Sequence, residues 1–138
     1  MFLLDSDTIS HLLQGNPQVV ERIRVATRPV CCPSVTRIEI LRGRFQSIMA
    51  AENGAKILEA QQRLERTEAF LNGLRLLPIN EAVAQEFDRL LVVKKLKKIG
   101  RGDLIIAAIA LANRAILVSR NRKDFILVPG LPLENWVD

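Results

Sequence analysis

The sequence predicts an α/β fold: a mostly parallel central sheet of four to five strands, covered by helices on both faces, in a single domain over residues 1–138. Three observations predict it. Short, continuously apolar stretches recur at Phe2-Leu3-Leu4, Val30-Cys31-Cys32 and Ala115-Ile116-Leu117-Val118, and strands apolar on both faces belong to parallel sheets with helices on either side. Helical segments separate these stretches, which is the alternation that parallel pairing requires. A length of 138 residues suits one domain with a proper core, and no repeat, low-complexity run or linker divides it.

The first strand covers Phe2 to Asp5, and a helix follows from about Thr8 to Leu13, with Ser6 or Asp7 available to cap it. A second helix runs from Pro17, a residue favoured in the first turn, to Ala26. Pro29 to Cys32 is the next buried strand, and Ser34 is placed to cap a helix carrying Ile38, Ile40 and Leu41. From about Gln46 to Asn72 the chain reads as long and helical, with Ile57, Leu58, Leu64, Phe70 and Leu71 as an apolar stripe. Leu74 to Ile79 is a third strand, after which Asn80 caps a helix from about Glu81 to Lys95. Gly100 and Gly102 break the chain before an apolar helix headed by Asp103. Ala115 to Ser119 is the fourth strand, and Leu131 to Glu134 a short fifth.

Composition excludes several classes. A hydrophobic share of 49% and a charged share of 25% are ordinary for a folded soluble protein. The apolar run Leu104 to Ala112 is too short to cross a bilayer. Asp5 arrives after only three apolar residues, which does not read as a secretory signal, so the expected location is cytoplasmic. Cys31 and Cys32 are adjacent on a strand and point to opposite faces, so they read as small core hydrophobes rather than a disulfide. The net charge of +5 and pI near 9.8 imply a polyanionic partner. Cations gather at Arg42 and Arg44, at Lys94, Lys95, Lys97, Lys98 and Arg101, and at Arg120, Arg122 and Lys123. Such runs also serve as plain solvated faces, but these lie beside acids. With aromatics at 4% and no tyrosine, base-stacking platforms are not expected.

The acids carry the chemistry. Asp5 ends strand one, Glu39 lies in the helix after strand two, and Asp103 opens the apolar helix that leads into strand four. In a parallel sheet all three positions fall at the carboxyl edge of the strands, where such folds place their sites. Carboxylates brought together repel one another and need a cation between them. Hard oxygen ligands suit magnesium or manganese, which points to metal-assisted chemistry on a phosphate. Each acid also has a plainer explanation. Asp5 and Asp7 suit turns and caps, Glu39 suits an exposed helical position, Asp103 suits the positive end of a helix dipole, and Asp124 suits a surface turn. The nine apolar residues after Asp103 argue that this acid is placed rather than merely solvated. His11, the only histidine, reads as structural, and neither a Gly-rich phosphate loop nor a Ser-His-Asp set is present.

Leu3-Leu4-Asp5-Ser6-Asp7-Thr8-Ile9-Ser10 resembles the opening motif of PIN-domain nucleases of the VapC toxin type. Ser34-Val35-Thr36-Arg37-Ile38-Glu39-Ile40-Leu41-Arg42-Gly43 is similar to their second motif, and Ile99-Gly100-Arg101-Gly102-Asp103-Leu104-Ile105-Ile106-Ala107-Ala108 to their third. The tail, from Leu117-Val118-Ser119-Arg120-Asn121 through Asp124-Phe125 to Pro129-Gly130-Leu131 and Glu134-Asn135-Trp136, resembles the family's ending. The resemblance implies a PIN-like fold and a Mg2+- or Mn2+-dependent endoribonuclease, the toxin of a toxin–antitoxin pair, which cleaves RNA with a metal-activated water. It assigns metal binding to Asp5, Asp103 and Glu39, and gives the fourth acidic place to Asp124. Asp7, where the family commonly has Asn, keeps a supporting role, and Ser119 and Asn121 shape the last loop. Arg42, Lys98, Arg101, Arg120 and Arg122 are the expected RNA contacts. The resemblance further implies a homodimer and a cognate antitoxin received by a clamp of the middle helices.

Two other readings compete. Asp5-Ser6-Asp7-Thr8 after an apolar strand also fits a haloacid-dehalogenase-like phosphohydrolase with Asp5 as nucleophile. Against it, Asp103 has no second acid a few residues on and follows a lysine-rich helix end rather than a strand. A non-catalytic nucleic-acid-binding module would use the basic face alone, which leaves the acids beside that face unexplained.

Overall fold

Five strands, β1 (Phe2–Leu4), β2 (Val30–Pro33), β3 (Arg75–Leu77), β4 (Ile116–Val118) and β5 (Leu133–Glu134), form one sheet in the order β3-β2-β1-β4-β5. This arrangement is seen in a computed structural model that describes residues 1–138. Every pairing is parallel, and Leu3 at the centre is in register with Cys31 on one side and Leu117 on the other. The chain builds outward from β1 to β3 and then crosses back to β4 beside β1. The strand order therefore reverses between β1 and β4, and a crevice opens there at the carboxyl edge.

Helices cover both faces, as the doubly apolar strands require. Successive strand residues point to opposite sides, so neighbours in sequence enter different cores. Leu4, Cys32 and Val118 pack with Ile9 and Leu12 of α1 (Ser6–Leu13), Val19 of α2 (Pro17–Val25), Ile40 of α3 (Ser34–Met49) and Leu71 of α4 (Gly54–Asn72). Leu3, Cys31 and Leu117 pack with Val83 and Leu90 of α5 (Glu81–Leu91), Ile106 and Ile109 of α6 (Arg101–Ala112) and Phe125 of α7 (Arg122–Phe125). Each fully buried large side chain stabilises by about 1.5–3 kcal/mol before ordering costs. No helix is long and apolar enough to cross a membrane.

Several local expectations are corrected. α1 begins at Ser6, two residues earlier than expected, because Asp5 itself is the cap: its carboxylate accepts a hydrogen bond from the Thr8 N–H. Ser34 is the first helical residue of α3 and makes no cap bond, since Pro33 occupies the capping position. The long middle helix is two helices, α3 and α4, packed against each other. The break falls where Asn53 turns its side chain to cap the α4 backbone at Lys56, and Gly54 follows. α5 stops at Leu91 rather than Lys95: β-branched Val92 and Val93 leave the helix, and a 3-10 turn at Lys94–Leu96 tucks Leu96 into the core while its lysines stay in solvent. Gly102 lies within the first turn of α6, so only Gly100 marks its boundary. The segment after β4 is not a loose turn, because Arg122–Phe125 is helical and buries Phe125 completely. The fifth strand is confined to Leu133–Glu134.

α6 closes at Asn113, whose amide donates to the Ile109 carbonyl at 2.7 Å, and exposed Arg114 then adopts a φ of 53°. That is the left-handed conformation that glycine adopts without strain at a helix end. Arg114→Gly should therefore raise stability by about 1 kcal/mol. Urea unfolding measures it, and an unchanged or lower midpoint would contradict this account.

Candidate active site

β1 ends at Leu4, so Asp5 stands at the carboxyl edge beside the strand reversal, in the crevice between β1 and β4. Its backbone N–H donates to the Val118 carbonyl at 3.1 Å and its Oδ1 accepts from the Thr8 N–H at 2.8 Å, while Thr8 Oγ1 donates to the same Val118 carbonyl at 3.2 Å. The capping bond orients the carboxylate of Asp5, which is only 6% exposed, and leaves Oδ2 with no protein donor. Ser6 and Thr36 pair their hydroxyls at 3.1 Å and so tie α1 to α3 beside it.

Asp103 sits in the first turn of α6, opposite Asp5, and is held from the other side. Asn121 Nδ2 donates to Asp103 Oδ2 at 3.2 Å and to Asp124 Oδ2 at 3.0 Å, so one amide links α6 to α7. The Asn121 side chain also caps α7, and the Asn121 backbone N–H donates to Ser119 Oγ at 2.9 Å. Burial pushes the Asp103 carboxyl above the ordinary value of 3.8. The charges of Asp5, Asp124 and Glu39 push the same way, and the Asn121 hydrogen bond opposes them. Glu39 stands at the exposed lip on α3 with no protein partner.

Asp5, Asp7, Glu39, Asp103 and Asn121 line a single cleft of about 330 Å³. The three acids, Asp5 just after β1, Glu39 on α3 and Asp103 on α6, thus line the same cleft. Asp124 stands outside the cleft lining and reaches it through Asn121. Asp7 supports its neighbours differently from expectation. Its carboxylate binds Arg120 (Nε to Oδ2, 2.8 Å) and lies 3.8 Å from His11, so it is committed to an ion pair rather than to Asp5. Arg120 and Asp138 face Asp5 and Asp7 in an adjoining recess. The other expected RNA contacts lie outside the cleft: Arg42, Lys98 and Arg122 are exposed, and Arg101 packs over the Phe87 ring at 5.6 Å. Ser6 and Thr36 were not singled out as site residues. Their only signal was that each sits within a few residues of a candidate acid.

The donor set is all hard oxygen, with neither histidine nor cysteine in the lining. No three acidic side chains are drawn together into a preformed ligand set. Carboxylate oxygens are the donor class of hard divalent cations such as magnesium and manganese.

The PIN domain family matches this chain over residues 2–131. Among curated relatives, a protein named ribonuclease VapC2 from Haemophilus influenzae is 30% identical over 139 residues, covering 99% of this chain and 98% of the relative. A tRNA(fMet)-specific endonuclease VapC from Salmonella typhimurium is 25% identical over 138 residues, covering 98% and 97%. The fold is shared with DNA-bound VapBC from Salmonella typhimurium at a TM-score of 0.79 and 25% identity, covering 98% of this chain and 97% of that one. It is shared as well with VapBC-1 from nontypeable Haemophilus influenzae at a TM-score of 0.80 and 23% identity, covering 99% and 98%. The chain belongs to the PIN-domain family, among its VapC ribonucleases. That membership sets aside the phosphohydrolase and binding-module readings.

The raised carboxyl of Asp103 has a measurable consequence. A folded state that binds this proton more tightly than the unfolded chain loses stability when the group ionises, fully so above the folded value and not at all below 3.8. In chelator-treated protein, Asp103→Asn should therefore be more stable than the parent at neutral pH. The gap should close as pH falls through the folded value toward 3.8. Parallel stability–pH curves would contradict the assignment.

Proposed function

We propose that the protein is the endoribonuclease toxin of a toxin–antitoxin pair and hydrolyses RNA phosphodiester bonds in the cytoplasm with magnesium or manganese. The observation that supports this most directly is the meeting of Asp5, Glu39 and Asp103 in one cleft at the strand reversal of a VapC-family fold. Such a cleft concentrates negative charge, so a phosphodiester enters it only with a cation.

Asp5, Asp103 and Glu39 would hold the metal. When bound, it supplies a Lewis acid that polarises the phosphoryl oxygen and acidifies an attacking water. Asp5 offers a rigid carboxylate, since its Oδ1 is fixed by the Thr8 N–H. Asn121 orients Asp103 and holds Asp124 behind it, close enough to add negative charge. Glu39, free of protein partners, completes the set from the lip. Arg120, held by its ion pair with Asp7 in the adjoining recess, would meet the RNA backbone beside the cleft, and Arg42, Lys98, Arg101 and Arg122 would add positive charge outside it.

The antitoxin reading draws on the structural relatives, which are VapBC complexes, one of them bound to DNA. In this chain α3 and α4 leave Ile38, Phe45, Met49, Ile57 and Leu58 exposed, an apolar surface suited to a covering peptide and to homodimer contacts.

Antitoxin-free protein should cut a mixed tRNA and rRNA pool into discrete fragments with magnesium or manganese, and not with excess chelator. Asp5→Asn and Asp103→Asn should each slow cleavage on the order of 10²-fold or more, the scale of losing one transition-state stabiliser. Product ends should be 5′-phosphate and 3′-hydroxyl. A 2′,3′-cyclic phosphate, or metal-independent cutting, would overturn the mechanism.

A further inference from the structure

A second recess, of about 400 Å³, lies between α1, α3 and α4 and gathers Arg44, Arg63 and Arg66. Three guanidiniums in one recess normally recruit carboxylates. Elsewhere in this chain Arg24 pairs with Glu21, Arg89 with Glu86 and Arg120 with Asp7. None of the chain's ion pairs includes Arg44, Arg63 or Arg66, although Glu59, Glu65 and Glu68 share helix α4 with two of them. Arg44 is also fixed in place. Its Nε donates to Thr67 Oγ1 at 3.0 Å, and Thr67 is 3% exposed, so both terminal nitrogens of the guanidinium remain without a protein partner. Burial and the charge of Arg63 press on Arg44, yet a guanidinium keeps its proton under such pressure. The recess is thus a concentrated positive site with no internal counter-ion.

The two helices that reach it from the carboxylate cleft say what it binds. Ser6 and Asp7 of α1 line the cleft, and Ser10 of the same helix lines the recess one turn further on. Glu39 of α3 lines the cleft, and Arg44 follows five residues later, about 7.5 Å along the helix and about 140° around it, where it meets Thr67 of α4. The cleft and the recess are therefore built on the same two helices, α1 and α3. Only Leu13 and Phe70 in the recess lining are apolar, which gives little anchorage for a peptide. Planar forked donors match the oxygens of a phosphodiester.

We infer that Arg44, Arg63 and Arg66 form a subsite for an uncleaved phosphate of the single-stranded RNA whose bond is cut in the carboxylate cleft. The subsite rests on the nuclease reading and adds to it a determinant of substrate length and register. It acts on binding rather than on the reacting atoms.

The test uses the full-length protein and a short single-stranded RNA carrying a cleavage site mapped from the mixed pool. One linkage at a time is replaced by a neutral methylphosphonate. For the parent protein, neutralising one particular linkage near the cut should lower kcat/KM about tenfold, through KM. The Arg63→Gln/Arg66→Gln double variant alters two exposed side chains, and its folding is checked by circular dichroism and thermal melting. It should lose about tenfold on unmodified RNA and nothing further at that linkage. Arg44→Lys, which keeps the charge but not the fork, should likewise lose activity on unmodified RNA and little further when the same linkage is neutral. A parent that cuts RNA while the variants cut equally well, or whose losses simply add to those of the neutral linkage, overturns the subsite alone. A parent that cuts no RNA with either metal overturns the nuclease reading and the subsite with it. Variants that cut normally but release an acidic peptide of the antitoxin identify a protein-docking site, which also overturns the RNA subsite.

Discussion

The parallel pairing of β1 with β4 is the constraint on which the rest of the molecule depends. It joins the first residues of the chain to a strand more than 110 positions later, with Phe2, Leu3 and Leu4 in register with Ile116, Leu117 and Val118. That closure puts Asp5 beside the loop after β4, so Ser119, Arg120 and Asn121 become its neighbours. It also obliges α6 to descend from the carboxyl edge, which carries Asp103 to the same crevice. A register slip by one residue would turn Leu3 and Leu4 to the wrong faces and exchange their cores. The site is in this sense a by-product of strand pairing, and its acids hold their positions because the two cores admit only one register.

The electrostatics divide the charged residues into two populations. Exposed pairs such as Arg24–Glu21 and Lys56–Glu59 neutralise one another locally and contribute little to stability. Around the cleft the opposite holds, because the acids lack cationic partners and raise the proton affinity of Asp103. Asp7 is the exception: it takes up Arg120 and so keeps one cation at the rim without quenching the central acids. Folding alone does not favour clustered like charges, and so function is the more economical explanation of their placement.

Much of this was legible in the sequence, for reasons specific to certain residues. The doubly apolar strands, the Asn80 cap and the first-turn Pro17 announced the α/β alternation, since each pattern has a local physical cause. Asp5, Glu39 and Asp103 could be assigned to one edge from topology alone. What could not be read were features decided by contact between distant segments. The Asp7–Arg120 ion pair spans 113 positions, whereas the Asp5 cap is a local bond to the Thr8 N–H, in a role that adjacent Ser6 and Asp7 could equally have filled. The division of the middle helix turned on Asn53-Gly54, a turn signal outweighed by the apolar stripe around it. The grouping of Arg44 with Arg63 and Arg66 depends on how α4 folds back on α3, which periodicity does not encode.

The adjacent cysteines extend the account of the two cores into chemistry. Cys31 and Cys32 are both free and buried on opposite faces of β2, and burial pushes the Cys32 thiol up to about 11. Neither is a nucleophile while its own layer stays closed. Because one peptide unit separates them, a thiol reagent meets the same strand from two sides: Cys31 becomes reactive when α5 and α6 lift away, Cys32 when α1 to α4 do. The protein therefore carries a built-in pair of timers, and their modification rates distinguish fluctuations that open one helical layer from unfolding that opens both.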